Sequence, residues 1–207
     1  MEIRREKKIK NTIFLGFLML YLKGCFHITI KGLGLKKLEI KMSTFGGPVL
    51  FLDRSDINTD EIIPAGCLSL PKQELIPHLF ENLKIDGFNP ANDIAGKKVV
   101  IARENFGCGA EHDKAPLALS ANGITTVVSS SFAKNFRKNM QADKLMAIEI
   151  DRKALADMFK MFADKDTECK VVLNDDGTAK VKLIAGSLSK SYQFSADETQ
   201  KSMLSES

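Results

Sequence analysis

From residue 47 onward, apolar residues fall into short runs separated by polar turns, and their spacing switches between two periods. Residues 47–52 (GPVLFL), 98–102 (KVVIA), 124–128 (ITTVV) and 145–150 (LMAIEI) are compact apolar stretches, several of them β-branched, and predict buried strands. Between them the period lengthens to that of a helix. Leu75, Ile76, Leu79, Phe80 and Leu83 recur at helical spacing, with Pro77 expected in the first turn or at a break. Asp113 and Pro116 open a helix that Gly123 closes, and Phe132, Phe136 and Met140 mark one face of the next. Asp151 caps a third, with Ala154, Leu155, Met158, Phe159 and Phe162 inward. Strand and helix alternate so closely that an α/β domain with a parallel sheet is expected. Residues 170–173 and 180–184, around Asp175-Asp176-Gly177, predict a hairpin, and the polar tail from residue 187 predicts a helical or frayed end. No linker interrupts 42–186.

The first forty residues follow another pattern. Residues 1–11 are basic, and 12–22 (TIFLGFLMLYL) are apolar. The apolar run falls short of the about 20 residues that span a bilayer. It resembles a signal peptide but lacks a small-x-small cleavage site. Residues 1–41 are therefore expected to lie outside the functional domain, 42–207, with Met42 as the natural start. This changes how the net charge of +4 reads: residues 1–41 carry +7, and 42–207 carry −3. The body has no basic excess for nucleic acid to meet.

Cys25, Cys67, Cys108 and Cys169 are widely spaced, with no C-x-x-C pair. That argues against a zinc site or an iron–sulfur cluster held by this chain alone, and it suits a reducing, cytoplasmic compartment.

Ligands of parallel α/β sheets bind beyond the carboxyl ends of the strands. The segment after 98–102 reads Arg103-Glu104-Asn105-Phe106-Gly107-Cys108-Gly109-Ala110-Glu111-His112-Asp113-Lys114-Ala115-Pro116. Its glycines let backbone approach a ligand, and a helix N-terminus follows that favours a carboxylate. Glu111 and His112 are candidate acid/base groups, although adjacent residues rarely face each other. Cys108 has no activating His placed by sequence and reads as an inert thiol. Asp56, Asn58 and Asp60 lack the rest of a calcium-loop pattern and read as a capped turn.

Several of these segments, in order, resemble the 3-isopropylmalate dehydratase small-subunit family. Asp56-Ile57-Asn58-Thr59-Asp60-Glu61-Ile62-Ile63-Pro64-Ala65 resembles its opening motif. Asn105-Phe106-Gly107-Cys108-Gly109, running to Ala115-Pro116, resembles its active-site loop. Gly123-Ile124, Val127-Val128, Ser131-Phe132-Ala133 and Phe136-Arg137-Lys138-Asn139 continue the match. The resemblance implies the swivelling β/β/α domain of the aconitase superfamily, with a mostly parallel sheet. It implies a larger partner subunit that carries a [4Fe–4S] cluster on its own cysteines, whose iron assists departure of the hydroxyl. It also implies a hydro-lyase of leucine biosynthesis that interconverts 2- and 3-isopropylmalate.

The loop departs from the family at the reacting positions. The family reads Gly-Ser-Ser-Arg-Glu-His-Ala-Pro where this chain has Gly109-Ala110-Glu111-His112-Asp113-Lys114-Ala115-Pro116. The family's proton-abstracting serine falls on Ala110, whose methyl group cannot accept a proton. The second serine falls on Glu111, and the substrate-binding arginine on His112. One expectation is that Glu111 replaces the base, with Gly109, Ala110, His112 and Lys114 contacting substrate. The other is a chain that keeps the fold and the partner but has lost catalysis. A homoaconitase- or dimethylmalate-dehydratase-type hydro-lyase is the alternative within the enzyme class. Asp60 matches an aspartate that supports a histidine of the large subunit. The segment 67–72 matches the loop that reads the substrate side chain, with Lys72 as a substitute cation.

Overall fold

The computed structural model describes residues 45–110, 113–174 and 178–206. The predicted leader, 1–41, lies outside them, as do Glu111, His112 and the turn 175–177.

A single seven-stranded sheet organises the described residues, in the order β4-β3-β2-β1-β5-β6-β7. Its parallel half is β1 (Gly46–Leu52), β2 (Val99–Ala102), β3 (Thr126–Ser129) and β4 (Met146–Glu149), the four strands expected from the apolar runs. The other half is antiparallel: β5 (Glu168–Leu173), β6 (Ala179–Ala185) and β7 (Leu188–Phe194), joined to the parallel half where β5 pairs with β1. The expected hairpin is β5–β6, with Val171 opposite Val181.

Strand geometry sends successive side chains to opposite faces, and both faces of this sheet are covered. Leu50, Leu52, Val100, Ala102, Val127 and Ala147 enter one apolar core. Val49, Val99, Ile101, Val128, Met146 and Ile148 enter the other. This is why the parallel strands read as unbroken apolar runs. The first core is closed by α3 (Lys114–Ala121) and α4 (Lys134–Ala142), and the short helices α1 (Thr59–Ile62) and α2 (Pro90–Asp93) lie on the connection from β1 to β2. The second is closed by α5 (Arg152–Phe162), the antiparallel strands and α6 (Glu198–Glu206). Asp151 caps α5 as expected, accepting from the N–H groups of Lys153 and Ala154. Among the described residues, no helix is long and apolar enough to cross a membrane.

Three expectations need correction. Asp113 stands at the start of α3, as expected of a cap, but its side chain makes no capping hydrogen bond. The apolar series from Leu75 to Leu83 forms a 3₁₀ helix at Lys72–His78 followed by turns, with Pro77 inside it. Proline lacks the N–H that a longer α-helix would require there. The tail from 187 contributes a full edge strand before its helix. Leu188, Lys190, Tyr192 and Phe194 share one face of β7, and Tyr192 and Phe194 are buried. Lys190 sits over the Tyr192 ring and pairs with Asp157 at 2.9 Å, so a charged residue occupies an apolar-facing position and masks the alternation. The polar stretch after it is also tied down. Asp197 and Gln200 form reciprocal backbone bonds at the start of α6, and the buried Gln200 amide donates to the Ala147 carbonyl.

Thr126 in β3 is fully buried, and its hydroxyl has no hydrogen-bond partner among the described residues. A buried hydroxyl left unpaired is costly, and valine has nearly the same shape. Thr126→Val is therefore expected to leave the fold intact and raise unfolding free energy by about 1 kcal/mol, read from the urea midpoint at constant m.

Candidate active site

The loop that follows β2 extends the sheet's own neighbour order past the strand ends. It lies between the loop after β1 and the loop after β3. On one side Gly107 N–H donates to the Ile57 carbonyl at 2.8 Å, and Thr59 N–H donates to the Cys108 carbonyl at 2.8 Å. On the other, Phe106 N–H donates to Ser131 O and Ala133 N–H to Phe106 O, both at 3.1 Å. Left-handed backbone at Asn105 (φ 57°) and Asp56 (φ 56°) makes these turns possible, and both residue types tolerate it. The two are locked together, since the Asn105 amide donates to the Asp56 carboxylate at 2.7 Å.

Asn58 is the cap that the sequence suggested. Its side chain accepts from Glu61 N–H, and the Glu61 carboxylate accepts from Asn58 N–H, a reciprocal box that starts α1. Arg54 holds Glu61 from the other side at 2.6 Å. The buried Thr59 then donates its hydroxyl to the Ala110 carbonyl at 3.0 Å, which fixes the distal end of the loop.

Between the loop and α4 is a cavity of about 300 Å³, lined by Thr59, Gly107, Gly109, Ala110, Ala133, Lys134, Asn135, Phe136 and Asn139. Such a volume suits a small organic acid. The N-terminus of α4 opens onto it, and the preceding Ala133 provides no side-chain cap. Among the described residues that line the cavity, Lys134 is the only one with a formal charge.

Gly109 and Ala110, expected around the substrate, line this cavity. Lys114 and Lys72 are not among the lining residues. Lys114 donates to the Leu70 carbonyl at 3.3 Å and so braces the 67–72 loop against α3. Lys72 is exposed, and its charge acts on Asp143. Asp60 is also outside the lining; it is exposed at the start of α1, and its carboxylate has no partner among the described residues. Sequence reasoning missed the contribution of α4. Its residues stood within a family-like motif, and they follow β3 as the active-site loop follows β2, so the same strand-end rule pointed to them.

Cys108 is partly exposed between the two glycines. Burial raises its thiol pKa above the ordinary value, and the negative charges of Asp56 and Glu61 push the same way. The thiolate is therefore scarce at neutral pH. Iodoacetamide labelling of Cys108 in the folded protein is expected to run slower than for a free cysteine, with its rate rising only at more alkaline pH. An inflection below the ordinary thiol range would contradict this. Cys67 belongs to the core on one face of the sheet and Cys169 to the core on the other, where burial pushes the Cys169 thiol up to about 12. Among the described residues no three His, Cys, Asp or Glu side chains converge as a metal set, so these residues do not fit an iron–sulfur cluster.

Comparison with known proteins agrees with this geometry. Residues 84–153 match the family model for the aconitase C-terminal domain. A 3-isopropylmalate dehydratase small subunit of Chloroflexus aggregans is 33% identical over 149 residues, covering 68% of this chain and 72% of the relative. That of Roseiflexus castenholzii is 30% identical over 142 residues, covering 64% and 69%. That of Teredinibacter turnerae is 29% identical over 181 residues, covering 78% and 81%. The crystal structure of a 3-isopropylmalate dehydratase from Methanocaldococcus jannaschii superposes with a TM-score of 0.55 at 22% identity, over 78% of this chain and 87% of that one, and so shares the fold. With 33% identity over an alignment that covers 72% of that Chloroflexus relative, the chain belongs to the 3-isopropylmalate dehydratase small-subunit family.

Proposed function

We propose that this chain, through residues 42–207, is the small subunit of a hydro-lyase that interconverts 2- and 3-isopropylmalate by dehydration and rehydration. It is active only when a large subunit joins it. The observation that carries this reading is the cavity at the carboxyl ends of the parallel strands, walled by the loop and helix that hold the family's motifs in order. In this role the chain supplies a proton acceptor and charge to hold carboxylates. Glu111, next in the chain after the cavity-lining Ala110, is the proposed base for the carbon-bound proton. Gly109, Ala110, His112 and Lys114 are proposed around the substrate, with Lys72 on the substrate-reading loop. Asp60, exposed and with no side-chain partner among the described residues, is proposed to support a histidine of the partner. The [4Fe–4S] cluster belongs to that partner. A cytoplasmic complex is consistent with the free thiols of Cys67, Cys108 and Cys169.

One observation favours a second reading. A methyl group, Ala110, lines the cavity at the position where the family carries its base. A chain that binds the large subunit but does no chemistry would show this. Anaerobic co-expression with the cognate large subunit, followed by an isopropylmalate isomerisation assay, separates the two. Turnover by the complex supports the hydro-lyase; a stable complex without turnover rejects it in favour of a binding subunit or a changed substrate.

A further inference from the structure

We propose that Lys134 is a specificity-determining residue that holds one substrate carboxylate and makes this cavity selective for a di-acid. This rests on the hydro-lyase reading above and assigns part of its substrate recognition. Lys134 is the first residue of the nine-residue helix α4 and lines the cavity together with Gly109 and Ala110. The other described lining residues are small, aromatic or neutral polar, so Lys134 brings the only formal charge among them.

Its side chain is exposed and makes no ion pair with any described residue, whereas three other cations, Arg137, Arg54 and Lys114, are committed elsewhere. Arg137, one turn along the same helix, is bound by Glu149 at 3.0 Å and Asp197 at 3.2 Å. Arg54 is held by Glu61, and Lys114 by the Leu70 carbonyl. The start of a helix carries partial positive charge, so a lysine there is repelled by the backbone unless an anion is near. The acidic residues that favour such positions are absent from the first turn of α4. A carboxylate in the cavity would be attracted by both the ammonium and the helix. Because an ammonium is a point charge without a fork, it fixes a carboxylate's position more than its orientation. The site should then tolerate di-acids of differing skeleton while rejecting mono-acids.

The test is a ligand-by-residue cycle on the full-length chain in complex with its large subunit, read by anaerobic calorimetric titration. The ligands are 2-isopropylmalate and 2-hydroxy-2,3-dimethylbutanoate, which keeps the hydroxyl, one carboxylate and the isopropyl group but lacks the second carboxylate. Malate and citramalate extend the di-acid set. Wild type is expected to prefer the di-acid by about tenfold to hundredfold, the usual worth of a charge-assisted contact. Lys134→Met should lose most of that preference while still binding the mono-acid as wild type does. Lys134→Arg should retain it. If Lys134→Met keeps the full di-acid preference, the proposal is overturned while the hydro-lyase reading stands. If wild type ignores isopropylmalate but binds another di-acid through Lys134, the carboxylate role stands and the isopropylmalate reading falls. Binding of no di-acid overturns both.

Discussion

Replacing Glu111 with Ala in the anaerobically prepared complex is expected to lower isopropylmalate turnover by about 10²–10⁴, the usual cost of deleting a positioned base. The chemistry requires a group that takes a proton from carbon. Ala110, in the cavity wall, has none to offer, and its carbonyl is already held by the Thr59 hydroxyl. Cys108 is also unsuited, because burial and the neighbouring Asp56 and Glu61 keep its thiol protonated. Glu111 is the next residue in the chain and the first that can act as a base. The loss should fall on kcat with KM nearly unchanged, because an interaction made only in the transition state is removed. Glu111→Gln keeps size and polarity but not basicity and should be nearly as impaired as Glu111→Ala. Undiminished turnover in both variants would reject Glu111 as the base.

The largest structural effect is expected at Gly107. A Cβ added there would lie 2.2 Å from Cγ of Phe136 and 2.4 and 2.5 Å from the two Cδ atoms, with the backbone at φ +76°. Any retreat of the ring would have to be into the cavity it lines, at the cost of its packing. Phe136 is buried and packs edge-on against the buried Phe106, with ring centroids 5.5 Å apart. Gly107→Ala therefore combines overpacking with a disfavoured backbone conformation, for a loss of about 3 kcal/mol or more. It should appear as a lowered urea midpoint, or as failure to accumulate folded protein. Gly186 serves as the control. It has a similar φ of +59° but open space around its Cβ direction, so Gly186→Ala should carry only the backbone cost, about 1–2 kcal/mol. If both variants lose the same stability, the contact with Phe136 is not the cause.

Much of this site was legible before any coordinates. The strand 98–102, its glycine-bearing loop and the helix after it stand in one continuous stretch, and local rules suffice there. Asn58 and Asp151 act as the caps their positions suggested. For Lys72 and Lys114 local rules do not suffice. Each stands near the right motif in sequence, yet the Leu70 carbonyl takes one ammonium and Asp143 feels the charge of the other. Sequence distance gives no measure of which polar group a long, flexible side chain will reach.

By itself, the sequence determined the alternating α/β order, the buried character of the parallel strands, the caps and the family. These depend on periodicity and on residue types acting over a few positions. Only the tertiary structure decided that Thr59, the loop 107–110 and the start of α4 wall one cavity, since parallel pairing of β1, β2 and β3 brings their distant carboxyl ends side by side. It also decided that Leu188–Phe194 is a strand, because β6 pairs with it along its whole length while Lys190 stays exposed beside Asp157 and the Tyr192 ring. Lys134, exposed at the start of α4, owes its place in the cavity wall to the same long-range pairing of the parallel strands.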